Sequence, residues 1–85
     1  MPDVQPVTRT IDTSGLACPL PVLKARKALC AMAPGERLAV TATDPLAAID
    51  IPQFCEEAGH RLIASDHRGG VLAFVIERGT GDAGP

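Results

Sequence analysis

A chain of 85 residues has room for one folded unit of the usual ~50–250 residues and for no second core. Hydrophobic residues at 46% and charged residues at 21% exclude wholesale disorder. A net charge of −2, with no Trp, no Tyr and two Phe, argues against nucleic-acid binding by charge or base stacking.

Residues 1–6 and 80–85 read as tails, so the domain is expected over 7–79. Val7 to Asp12 alternates Thr8, Thr10 and Asp12 against Val7, Arg9 and Ile11, which predicts a strand with one wet face; Thr13-Ser14-Gly15 breaks it. From Pro19 to Ala33 apolar residues recur at helical spacing, and Pro34-Gly35 stops the helix. Glu36 to Thr43 puts Leu38, Val40 and Ala42 on one face of a second strand. Asp44-Pro45 supplies an N-cap and a first-position proline for a second helix, expected to be interrupted at Asp50-Ile51-Pro52-Gln53, re-capped by Asp50, and ended by Gly59. His60 to Asp66 and Val71 to Arg78 are two strands around a hairpin signal at Arg68-Gly69-Gly70. The order βαβαββ, with right-handed crossovers, predicts an α/β two-layer sandwich, a four-stranded mixed sheet with both helices on one face. Sites in such sheets favour the carboxyl ends of strands, here the turn that holds Cys18.

No membrane span is expected, because the longest strongly apolar run, Val71 to Ile76, is far short of the ~20 residues needed. The first residues show neither a basic n-region nor an apolar h-region, so the expectation is a cytoplasmic protein with reduced thiols. Three cysteines form an odd set without C-x-x-C spacing, which leaves no internal framework and no structural zinc site. His60 and His67, even with Cys55, lack ligand spacing, so no metal is expected. Cys30 and Cys55 read as core residues, Cys55 in a stripe with Ile51, Phe54 and Ala58. His60 reads as a half-buried residue opening its strand.

Ala17-Cys18-Pro19-Leu20-Pro21 stands apart. With Cys18 as N-cap, both prolines fall in the first turn, where helix N–H groups have no intrahelical partner to lose. This predicts a projecting sulfur at the positive end of a helix dipole, where the thiol pKa falls and the thiolate is favoured.

Gly15-Leu16-Ala17-Cys18-Pro19-Leu20-Pro21 resembles the signature of the TusA/SirA-like small sulfur-carrier family, a Cys-Pro-x-Pro at the first helix start after a Gly-containing loop. The resemblance continues in order through Arg26-Lys27, Pro34-Gly35, Asp44-Pro45, Asp50-Ile51-Pro52, Phe54-Cys55 and Gly59-His60, over roughly residues 7–79. It implies a sandwich akin to the C-terminal domain of translation initiation factor 3. It also implies sulfurtransferase activity without a cofactor, with sulfur carried as a persulfide on Cys18. The donor would be a cysteine desulfurase or another sulfurtransferase, and the acceptor a protein of tRNA thiolation, molybdenum-cofactor biosynthesis or sulfur metabolism. Cys18 is then the catalytic residue, supported by Gly15, Pro19 and Pro21. Lys24, Arg26 and Lys27 form a basic docking surface, and Asp44, primarily a helix cap, borders the active surface. One thiol presented to successive proteins suits a monomer that binds neither nucleic acid nor membrane directly. The alternatives are a regulatory or RNA-binding α/β module and a thiol redox sensor, in which Cys18 would form a sulfenic acid or a mixed disulfide.

Overall fold

The structure, a computed structural model, describes residues 7–80; the expected tails fall outside them, Thr80 excepted. The elements are β1 (Arg9–Thr13), α1 (Leu20–Cys30), β2 (Arg37–Ala42), α2 (Ala47–Ala58), β3 (Arg61–Arg68) and β4 (Val71–Glu77). They form one sheet of order β1-β2-β4-β3, with β1 and β2 parallel and the β2–β4 and β3–β4 pairs antiparallel. This is the expected α/β sandwich with both helices on one face. Among the described residues no helix is long and apolar enough to cross a membrane.

Strand alternation builds the core. Leu38, Val40 and Ala42 of β2 and Leu72, Phe74 and Ile76 of β4 are buried, and their registered pairs, such as Leu38 with Ile76 and Val40 with Phe74, share one face. Against that face α1 places Ala25, Ala28 and Leu29, and α2 places Ala47, Ile51, Phe54 and Cys55. The β3–β4 turn is closed by Gly69 and Gly70 at φ of +57° and +82°. Two positive φ values in a two-residue loop are what a type I′ hairpin requires, so the glycine pair is dictated by the turn.

The structure departs from expectation at α2 and at Cys30, and in the depth of His60. α2 is not interrupted at Asp50–Gln53; it runs unbroken through Pro52. An interior proline costs about 3 kcal/mol, but the same segment buries Ile51, Phe54 and Cys55, and full burial of a large apolar side chain contributes about 1.5–3 kcal/mol each. Packing therefore holds the segment helical. Cys30 is exposed rather than core. The apolar residues of α1 occupy two sides of the helix: Ala25, Ala28 and Leu29 face the sheet, while Cys30 lies seven residues after Leu23, on the same outward side, where Leu23 is 48% exposed. Cys55, by contrast, is buried as expected.

His60 is more deeply buried than its place at a strand start suggests, at 8% exposure. Its Nδ1 accepts the Gly79 N–H at 2.9 Å, and its ring lies 5.5 Å from that of Phe54. A Cβ on Gly79 would collide with the Gly59 carbonyl oxygen, so the chain after β4 packs directly on the left-handed turn, φ +80°, that ends α2.

Candidate functional site

Cys18 lies where β1 feeds α1, beside the carboxyl ends of the parallel pair β1 and β2. Hydrogen bonds from the neighbouring strand and loop position this turn. Asp12 Oδ1 accepts the Ser14 N–H at 2.9 Å and the Thr41 hydroxyl at 2.8 Å. Gly15, at φ +83°, donates its N–H to Thr43 Oγ1 at 2.8 Å. Such a φ is costly for any residue with a Cβ, which explains glycine here. Thr13, 1% exposed, donates its hydroxyl to the Thr41 carbonyl.

Two carboxylates then hold the cysteine itself. Asp44 Oδ2 accepts the Cys18 N–H at 2.6 Å, while its Oδ1 accepts the Leu46 N–H at 3.0 Å. Asp44 therefore organises the entry to α2, as a cap would, although the N-cap position belongs to Leu46. These bonds to amides favour the charged form and hold the Asp44 carboxyl below its ordinary value. Asp50, in the first turn of α2, accepts the Cys18 thiol at 2.7 Å.

The cap of α1 differs from expectation. Pro19 takes the N-cap position, joined to Cys18 by a cis peptide bond, and Leu20 opens the helix. Cys18 stands one residue outside. Neither Pro19 nor Pro21 has an N–H to offer, and the Leu20 N–H is engaged by the Ala17 carbonyl at 2.8 Å, so the end of α1 is poor in free donors. The sulfur faces a carboxylate instead. The thiol is consequently pushed up from its ordinary value of 9.0, first by the Asp50 hydrogen bond, then by desolvation and by the charges of Asp50 and Asp44. This reverses the expected fall.

A cleft of about 300 Å³ opens beside the sulfur, with Cys18, Pro19, Val22 and Arg26 on one side and Asp50, Phe54 and Glu57 on the other. Arg26 is drawn into it, its guanidinium carbon 5.4 Å from the Phe54 ring centre, in cation–π range. Lys24 and Lys27 are exposed on α1 but do not line the cleft. Of the residues singled out from sequence, Cys18, Pro19, Arg26 and Asp44 gather at this place, and Gly15 anchors the turn. The local pattern around Asp50 points to a cap, with Asp50-Ile51-Pro52 also part of the family resemblance, and nothing in the sequence around Thr43 marks it for this site. Their links to the turn span 32 and 28 residues. Among the described residues no three His, Cys, Asp or Glu side chains are placed to hold a metal ion.

The profile of the family described as Sulfurtransferase TusA matches residues 9–78. The sulfur carrier protein TusA of Allochromatium vinosum is 44% identical over 68 residues, which span 80% of this chain and 90% of that one. A Neisseria meningitidis serogroup A protein provisionally named a sulfur carrier is 43% identical over 70 residues, 82% of this chain and 95% of its own. The crystal structure of a SirA-like protein from Desulfitobacterium hafniense superposes with a TM-score of 0.75 at 27% identity, covering 84% of this chain and 97% of that one. The chain belongs to the TusA family, and at the family level its function is sulfur carriage by persulfide relay.

Proposed function

We propose that Cys18 is the sulfur-carrying residue of a cytoplasmic carrier domain spanning residues 7–79. It accepts sulfane sulfur as a persulfide from a cysteine desulfurase or another sulfurtransferase, then passes it to an acceptor protein of tRNA thiolation, molybdenum-cofactor biosynthesis or sulfur metabolism. The observation that carries this reading is the exposed Cys18 thiol at the proline-bounded start of α1. Of the other thiols, Cys55 is buried and Cys30 lies at the far end of α1. Acceptance requires a sulfur that a partner's loop can reach, and hand-on reverses the same displacement, so one thiol serves both steps. No cofactor takes part. Gly15, Pro19 and Pro21 shape the turn, Asp44 fixes the Cys18 backbone, and Lys24, Arg26 and Lys27 offer an acidic partner a basic face. The carrier acts as a monomer.

Mass spectrometry after incubation with a cysteine desulfurase and cysteine tests the reading. The peptide containing Cys18 should gain one sulfur atom, and Cys18→Ser should abolish the gain. A protein that stays unloaded, or that loads equally well as Cys18→Ser, overturns it.

A further inference from the structure

The reading of Cys18 as carrier leaves open what takes its proton. The fold sets two carboxylates against this residue, and they are not equivalent. Asp44 is committed to two amides, those of Cys18 and Leu46, whereas Asp50 is turned to the sulfur itself, with Oδ2 2.7 Å from Sγ. Asp50 comes from α2, 32 residues away in sequence, so the contact is made by the tertiary fold and not by the proline turn. The other charged groups at the cleft are Glu57, also from α2, and Arg26 from α1, whose guanidinium is held over Phe54.

We propose, building on the carrier reading, that Asp50 is a catalytic residue of sulfur transfer: it accepts a hydrogen bond from the Cys18 thiol in the free protein and takes the proton as Sγ attacks the donor persulfide. In the free protein the proton stays on sulfur, because a carboxylate is a far weaker base than a thiolate. A partner loop that covers the cleft brings the donor persulfide to Sγ and excludes water, so that the proton leaves along the existing hydrogen bond to Asp50 as the new S–S bond forms. The nucleophile is then generated only in the docked complex. During acceptance the bond from Sγ to the donor's outer sulfur forms and the donor's S–S bond breaks. The Sγ proton passes to Asp50 and from Asp50 to the released donor thiolate, so Asp50 ends the step as a carboxylate. The balance is Cys18–SH plus R–S–SH giving Cys18–S–SH plus R–SH, with no oxidant or reductant.

The test is Asp50→Asn in a Cys30→Ser background, read by two reactions of Cys18. With iodoacetamide, the profile of alkylation rate against pH should move to lower pH and the rate at pH 7 should rise roughly two- to fivefold, the size of a solvent-screened charge effect. With a cysteine desulfurase and cysteine, the rate of persulfide loading should fall by about a hundredfold, the lower range for loss of a positioned base. Asp50→Glu should recover part of the loading. Because an unfolded chain would also alkylate faster and load more slowly, the variant's urea midpoint is measured alongside, and slow alkylation of the buried Cys55 shows that it is folded. An unmoved alkylation profile, or loading at the wild-type rate, overturns the proposal. Failure of the wild type to load any sulfur sinks the carrier reading instead, and the alkylation profile still reports whether Asp50 governs the thiol.

Discussion

Cys18 and Cys55 carry the same side chain, and in both the thiol is pushed above its ordinary value, yet the causes differ. At Cys18 the leading cause is a hydrogen bond to Asp50, followed by desolvation and by the charges of Asp50 and Asp44, on an exposed residue. At Cys55 it is burial among core side chains, which raises the thiol to about 11. A charge at the surface can be neutralised, desolvated or displaced by a docking protein, whereas burial is removed only by unfolding. The first thiol is therefore quiet but addressable; the second is inert for as long as the fold persists.

The sharpest way to break this comparison is to label both thiols in the folded protein. With iodoacetamide near pH 8, the Cys18 peptide should react at least about a hundredfold faster than the Cys55 peptide, because Cys55 reacts only from opened states that a stable domain seldom visits. Comparable rates would refute the distinction. Urea should bring the two together. Next in size, Cys55→Ser puts a hydroxyl into an apolar site and should lower unfolding stability by about 1–3 kcal/mol, while loading of Cys18 in the folded fraction is unchanged. A loss of loading without loss of stability would give Cys55 a part in transfer. Smaller again, Lys24→Glu combined with Lys27→Glu should slow loading from the donor several-fold at low salt and remove most of its salt sensitivity. A wild-type rate and salt response would discard the basic docking face, leaving Arg26 in the cleft as the cation that matters.

How much of this was legible in the sequence depends on whether the controlling interaction was local. The element order, the Leu38–Val40–Ala42 and Ile51–Phe54–Cys55 stripes and the Gly69-Gly70 hairpin all follow from short-range periodicity or turn chemistry, and the structure has them. Cys30 departs from the expected core because the apolar content of α1 hides two faces, and spacing alone does not tell which one meets the sheet. The state of the Cys18 thiol departs from expectation for a different reason. A helix dipole belongs to the local segment and can be inferred from it, whereas Asp44 and Asp50 act across 26 and 32 residues of chain. The prolines that mark the site also remove N–H groups through which a helix dipole would act on the sulfur. Asp44-Pro45 and Asp50-Ile51-Pro52 are legible in the sequence as part of the family resemblance, and that resemblance is the sign there that they do more than cap α2.

The mildest effect separates the two regions by pH. His60 follows α2 behind Cys55, its N–H bonded to the Cys55 carbonyl at 2.8 Å and its ring buried against Phe54. Desolvation, and after it the charge of Arg78, holds this imidazole below its ordinary value of 6.5. The folded protein therefore keeps His60 neutral while the unfolded chain takes up a proton. Its contribution to stability is complete above about pH 6.5 and is lost as pH falls through the depressed folded value. At the Cys18 end the sign is the same but the range is lower: Asp44 is held down by its bonds to the Leu46 and Cys18 amides, so its contribution is present above the ordinary carboxylate range and fades only as pH drops through its still lower folded value. Urea midpoints taken from pH 7 to pH 5 should thus decline modestly, by less than the Cys55→Ser effect, with no change in which thiol alkylates first. His60→Gln keeps an acceptor for the Gly79 N–H without a titrating ring, and it should flatten that decline. A decline between pH 7 and pH 5 that survives the substitution would show that His60 is not its source, since Asp44 titrates only below that window.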